Sequence, residues 1–407
     1  MKTLIKNVYL YNKTVDILIK DNLINKISDT IEDKEAEVFD ATNLAVLPAF
    51  YNMHAHSSMS LLRGFCEDLP LFDWLNNIWK REATLSAEDI YNGTRLAILE
   101  MIKSGTVFFA DMYWHHSEII RAVEEMGIRA NVGICFMNSL GRKTIEENFD
   151  FAKNPTITKP SLVSLSIAPH AIYTCDKQLY EECYSFAKKH DLIFHTHLSE
   201  TQKEVEDSLK ENSMRPVEYL NSLGVLDSKT LLAHCVHLSE KEAEIISQNG
   251  ATIVHNPCSN MKLASGVFDS RQARKYNCKI ALGTDGNSSN NNLSMIEEMK
   301  IASLLAKVHY LDSEEGNSNT VFSWATKNGA EAVGINAGEI KEGGLADLMF
   351  VNIDNEKMQP NYNIISNLIY SSDTSCVDSL MCDGKFVMKH YYVEGEEEII
   401  EIAKRYK

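Results

Sequence analysis

Five residues of metal-binding type punctuate this chain: His54 and His56 in PAFYNMHAH, His197 in LIFHTHLS, His234 in TLLAHCV and Asp285 in KIALGTDG. Each lies at or near the end of a short apolar run that reads as a β-strand. Side chains two apart on a strand point the same way, so His54 and His56 can reach one ion together. Imidazole and carboxylate are Zn²⁺ ligands, and a site that leaves one coordination position to water is built for hydrolysis, because the ion lowers the pKa of that water. A single strand histidine is ordinarily a core residue satisfied by a neighbour. Five metal-binding types at four strand ends are not explained in that way, and the chemistry they suggest is attack of water on an electrophilic carbon.

The scaffold that would bring those ends together is legible in the alternation of elements. After Pro48 the runs 48–56, 106–113, 129–136, 161–169, 192–199, 230–236, 251–257 and 279–286 alternate with amphipathic helices. One helix opens on the capping box Ser86-Ala87-Glu88-Asp89, continues through the apolar stripe Ile90, Thr94, Ala97, Ile98, Met101 and Ile102, and stops at Gly105. Eight strands in βα units predict an α/β fold of the (β/α)₈ TIM-type barrel class. No GxGxxG follows any strand, which argues against a dinucleotide-binding sheet. The segments TLIKNVYLY and VDILIKDNLINKI before residue 48, and ADLMFVNI and KFVMKHYYV after 345, alternate with period two. They predict a small β-sandwich domain built from 1–47 plus 346–407, beside a barrel domain of 48–345.

Composition narrows the partners. Lys and Arg total 40 against 57 Asp and Glu, a net charge of −17, which disfavours nucleic acid and anionic membrane and leaves a small-molecule substrate. The N-terminal stretch offers neither a signal-peptide core nor an apolar span. The nine cysteines are scattered without a CxxC pair, as expected of reduced thiols in a cytoplasmic protein. A homo-oligomer is expected.

The segments PAFYNMHAHSSMSLLRGF, HTHLSE, LLAHCVHL, HNPCSN and GTDG, in this order, resemble the amidohydrolase superfamily over essentially the whole chain. More narrowly, it resembles the methylthioadenosine/S-adenosylhomocysteine deaminases and their cytosine-, guanine- and triazine-processing relatives. It implies one Zn²⁺ per chain, with Fe²⁺ or Mn²⁺ as alternatives, on His54, His56, His197 and Asp285. Glu200, His234 and Asp285 become the catalytic set. Asp285 and His234 would orient and deprotonate water, while Glu200 would protonate the substrate ring nitrogen and then the leaving ammonia. The fourth barrel strand, SLVSLSIAPHA, carries neither the Lys nor the Glu that bridges two metals in binuclear relatives, so a mononuclear site is expected. Of the other histidines, His195 lies one step deeper on its strand than His197 and is read as a buried support, and His237 and His255 as outer neighbours.

For substrate binding the resemblance points to Trp74 and Glu82 in LPLFDWLNNIWKREATLS, to His170 in APHAIYTC, to Glu200, and to Arg142 for a carboxylate on the 5′ arm. Ile134 stands where relatives that take S-adenosylhomocysteine have a second arginine. The expected reaction is hydrolytic deamination of a 6-aminopurine nucleoside (adenosine, 5′-methylthioadenosine or S-adenosylhomocysteine) to the inosine-type product and ammonia. Alternatives are an aminohydrolase or chlorohydrolase of guanine, pterin, cytosine or triazine type, and a non-catalytic scaffold.

Overall fold

A computed structural model describes residues 2–158 and 161–406. The chain begins with β1 (Lys2–Leu10), β2 (Lys13–Lys20), β3 (Leu23–Ser28), β4 (Glu37–Asp40) and β5 (Leu44–Pro48). β1 and β2 are joined by a two-residue turn in which Tyr11 and Asn12 both have positive φ, the backbone that matches the twist of a hairpin. Ala49 alone separates β5 from the first barrel strand, β6 (Phe50–His56). β7 (Thr106–Tyr113), β8 (Arg129–Phe136), β9 (Val163–Pro169), β10 (Ile193–Leu198), β11 (Thr230–His234), β12 (Thr252–His255) and β13 (Lys279–Leu282) follow, each parallel to the strand before it. The two-residue β14 (Asp285–Gly286) pairs back onto β6, Asp285 opposite Ala55, and closes the ring. All eight predicted barrel strands are therefore present.

The eighth strand differs from its prediction by a break at Gly283 and Thr284. Asn52 of β6 explains the break: its Oδ1 accepts the Thr284 N–H at 3.0 Å and its Nδ2 donates to Thr284 Oγ1 at 2.7 Å, so a side chain takes the place of the ladder. Gly283 is required at this closure. A Cβ there would stand 2.8 Å from the backbone nitrogen of His54 and 2.5 Å from Asn256 Oδ1. The seam that closes the barrel thus brings Asp285 beside His54 and His56.

After the barrel, β15 (Leu348–Asn352), β16 (Val377–Cys382) and β17 (Lys385–Met388) return to the first segment, and β15 pairs antiparallel with β5. The eight terminal strands make one sheet around a core of its own that includes Ile5, Val8, Ile17, Phe39, Val46, Leu348 and Phe350. A buried polar joint fastens this sheet to the barrel. Arg129 Nε donates to Asp347 Oδ2 at 3.0 Å, Tyr51 Oη donates to the same oxygen at 2.6 Å, and the Asp383 N–H donates to Asp347 Oδ1 at 2.7 Å. Asp347→Ala removes one of the two carboxylates that pair with Arg129, Asp383 remaining, and leaves Tyr51 Oη and the Asp383 N–H without their acceptor. A loss of about 1–3 kcal/mol is expected, read as a fall in the thermal midpoint, whereas Asp347→Glu should recover part of it.

A short 3₁₀ helix (Ser57–Leu62) and two α-helices, α1 (Leu71–Glu82) and α2 (Ala87–Lys103), follow β6 before β7. α2 starts on the predicted Ser86 capping box, the Ser86 side chain accepting from the Asp89 N–H while Asp89 accepts from the Ser86 N–H. α1 lies over the C-terminal mouth of the barrel, where Leu71, Trp74, Leu75, Trp79 and Glu82 line one cleft with β-strand residues. No helix among the described residues is long and apolar enough to cross a membrane.

Candidate active site

Four imidazoles and a carboxylate converge inside the barrel mouth. His56 Nδ1 donates to the Met112 carbonyl at 2.6 Å and His197 Nδ1 to the His170 carbonyl at 2.8 Å. The neutral His197 ring, its proton committed to Nδ1, turns a lone pair on Nε2 inward, whereas burial would lower His56 but the Asp285 carboxylate beside it raises it to about 9; the two Nε2 atoms lie 3.3 Å apart. That separation suits positive charge between the two nitrogens, either a proton on His56 Nε2 or a cation. Asp285 Oδ1 lies 3.2 Å from His56 Nε2 and 3.6 Å from His54 Nε2, and the latter nitrogen is buried with no hydrogen-bond partner. Donor atoms of His54, His56 and Asp285 form one group of metal-binding geometry, and His54, His197 and His234 form a second that shares His54. The donor set, two or three neutral imidazoles and one carboxylate, suits a borderline divalent cation.

The electrostatics of the cluster favour positive charge. Burial would raise the Asp285 carboxyl, yet the surrounding imidazoles, His56 foremost, hold it well below the usual carboxylate range. Burial depresses His54 and His197 well below the ordinary imidazole value, which leaves both neutral and able to ligate. Asp285 is fixed from behind, its Oδ2 accepting from Ser259 Oγ at 2.6 Å and from Ser289 Oγ at 3.0 Å. It also has a φ of 61°, as His234 has one of 72°, a left-handed backbone that costs energy at a residue other than glycine and that surrounding structure has to enforce.

His234 is held by Asn260, whose Oδ1 lies 2.8 Å from His234 Nδ1. This directs Nε2 to a point 3.8 Å from Glu200 Oε2 and 4.0 Å from Asp285 Oδ2. Glu200 accepts from Ser265 Oγ at 2.9 Å, and its burial raises its carboxyl above the ordinary value, which favours the protonated form. Its backbone is pinned in turn: Glu204 accepts from the Ser199 and Glu200 N–H groups, both at 2.8 Å.

The cleft beside this cluster encompasses about 560 Å³, open solvent at its mouth included. Trp74, Glu82, His170 and Glu200 all line it, together with His56, His197, His234 and Asp285. Burial pushes the Glu82 carboxyl up to about 7, beside Tyr113, and pushes His170 down to about 3, which keeps that ring neutral. Arg142 stands apart. It is exposed on the helix Gly141–Lys153, Nε donating to Glu146 at 3.0 Å and Nη1 to Glu182 at 2.6 Å. Ile134, at its expected place on β8, is fully buried in the barrel core. His237 donates through Nε2 to the Ser265 carbonyl at 2.6 Å, and His255 packs against Phe268; neither lines the cleft.

Sequence reasoning passed over Trp79, Tyr113, Tyr173 and Leu71, all of which line the cleft. Trp79 and Leu71 had a readable signal, since 71, 75, 78, 79 and 82 fall on one face of α1 with Trp74. The serines Ser259 and Ser265 had none, because their partners are 26 and 65 residues away in sequence.

The chain is 42% identical over 400 residues to a 5′-deoxyadenosine deaminase of Methanosphaera stadtmanae, covering 96% of this chain and 94% of that one. It is 42% identical over 399 residues to a 5-methylthioadenosine/S-adenosylhomocysteine deaminase of Thermococcus sibiricus, covering 95% and 94%. A zinc-bound crystal structure of an adenosine deaminase from Xanthomonas campestris superposes with a TM-score of 0.91 at 28% identity, over 100% of this chain and 97% of that one. The sequence profile of the amidohydrolase family matches residues 45–387, and with a barrel closed at Gly283 and this cluster at its mouth, the chain belongs to the amidohydrolase family.

Proposed function

We propose that this protein hydrolyses the exocyclic C–N bond of an adenosine-type nucleoside, releasing ammonia and the inosine-type product. The observation that carries the reading is the convergence of Glu200, His234 and Asp285 on one apolar, aromatic cleft. The names of the relatives support the same choice of substrate.

His54, His56, His197 and Asp285 would hold one divalent cation, Zn²⁺ in the first instance with Fe²⁺ or Mn²⁺ as alternatives. Such an ion makes water acidic enough to act as a nucleophile near neutral pH. Asp285 Oδ2 and His234 Nε2, 4.0 Å apart, would orient the attacking water, and one of them would take up its proton. Glu200 gives a proton to the ring nitrogen next to the carbon under attack, and a proton then passes to the departing amine, which leaves as ammonia. One water enters, one C–N bond breaks and one C–O bond forms. Glu82 accepts from ribose hydroxyls, and Trp74, Trp79 and Leu71 cover the reacting carbon from solvent.

Ammonia release measured across adenosine, 5′-deoxyadenosine, 5′-methylthioadenosine, S-adenosylhomocysteine, guanine and cytosine tests the reading. Turnover of the free bases alone would move the heterocycle alternative ahead of it. The same panel examines Arg142, which is engaged by Glu146 and Glu182 away from the cleft. Arg142→Met is expected to leave kcat/KM for S-adenosylhomocysteine unchanged relative to that for adenosine. A selective loss of tenfold or more, equivalent to about 1.4 kcal/mol, would restore Arg142 to the 5′ arm of the substrate.

A further inference from the structure

The side chains behind the cluster are not alike. His56 and His197 each give the Nδ1 proton to a backbone carbonyl, an acceptor whose role cannot reverse. His54 has no carbonyl at its Nδ1. Its partner there is His195 Nε2, at 3.0 Å, with the two rings edge-on at 79°. His195 precedes His197 by two residues on β10, so both side chains enter the barrel on the same side, one layer apart.

Two tautomeric arrangements fit that contact. In the first, His54 donates from Nδ1 and its Nε2 carries a lone pair. In the second, His195 donates from Nε2, and the His54 proton sits on Nε2, pointing into the cluster toward Asp285 Oδ1 at 3.6 Å, beyond hydrogen-bond range. Only the first leaves His54 able to ligate. It requires His195 to keep its own proton on Nδ1, and that atom is buried without a partner. A buried donor without an acceptor is costly and is retained where function needs it.

We propose that His195 is a positioning residue, whose Nε2 accepts the His54 Nδ1 proton and so fixes the one tautomer in which His54 Nε2 can bind a metal ion. This rests on His54 being a ligand, as proposed above. Outer partners of this kind typically change metal affinity by about 10–100-fold.

The test measures Zn²⁺ affinity by chelator competition on the full chain. His195→Leu, which removes the acceptor, should weaken affinity by about 10–100-fold. His195→Gln, whose amide oxygen can accept, should return it most of the way. His54→Ala is the control for the underlying reading. If that variant binds Zn²⁺ as tightly as the wild type, His54 is not a ligand and the inference falls with it. If His54→Ala loses the ion while His195→Leu keeps full affinity, the inference alone fails. Should the leucine variant not fold, ¹⁵N-histidine spectra of the wild-type protein decide: a proton on His54 Nδ1 upholds the assignment, and one on His54 Nε2 overturns it.

Discussion

His197→Ala is expected to yield a folded protein with neither bound metal nor turnover, while the wild type carries about one divalent ion per chain. The ring removed is the one whose Nε2 faces that of His56 at 3.3 Å and whose Nδ1 is fixed by the His170 carbonyl. Without it the remaining donors lie on the closing seam alone, on β6 and β14, and leave one side of the ion open. Elemental analysis together with the ammonia assay reads both effects. Two tightly held ions per chain would overturn the mononuclear reading, and full activity after chelation would overturn the metal-dependent one.

Glu200→Gln separates proton transfer from metal binding. Glutamine keeps the size of the side chain and can accept from Ser265 through its amide oxygen, but it has no proton to relay. The metal content should stay at the wild-type level while kcat falls by about a hundredfold to ten-thousandfold, the range of general acid–base catalysis. Near wild-type turnover would assign the proton transfers to His234, whose Nε2 is 3.8 Å from Glu200 Oε2.

The residues at the barrel mouth were readable because a strand has period two and a barrel aligns its strand ends. His54, His56, His197, His234 and Asp285 follow from these two rules, with Glu200 and the order of motifs supplied by resemblance. Arg142 shows where such reading stops. A helix changes the direction of a side chain by about 100° per residue, so alignment of a loop-and-helix segment cannot say which face an arginine takes. In the structure Glu146, one turn along, and Glu182, on the helix Lys177–Lys189, hold it away from the cleft. His195 was legible as a buried histidine but not as a partner of His54, 141 residues away, because tautomers are set by contacts and not by spacing. The break in the eighth strand was hidden for a similar reason, since Asn52 gives no sign in sequence that it will bond Thr284 across 232 residues.

The pairing of β5 with β15 has a consequence for how the chain is made. Leu348 lies opposite Pro48, so the first strands cannot complete their sheet until some 300 further residues have been synthesised. At about 5–20 residues per second that is roughly 15–60 s during which β5 has an open edge. The hairpin of β1 and β2 can form at once from local contacts, but the Arg129–Asp347 joint and the β5 edge cannot. Long-range closure of this kind slows folding and exposes strand edges to other nascent chains. Recombinant yield should therefore respond to slower synthesis at low temperature and to chaperones that shield apolar strands, more than to surface substitutions on the barrel helices.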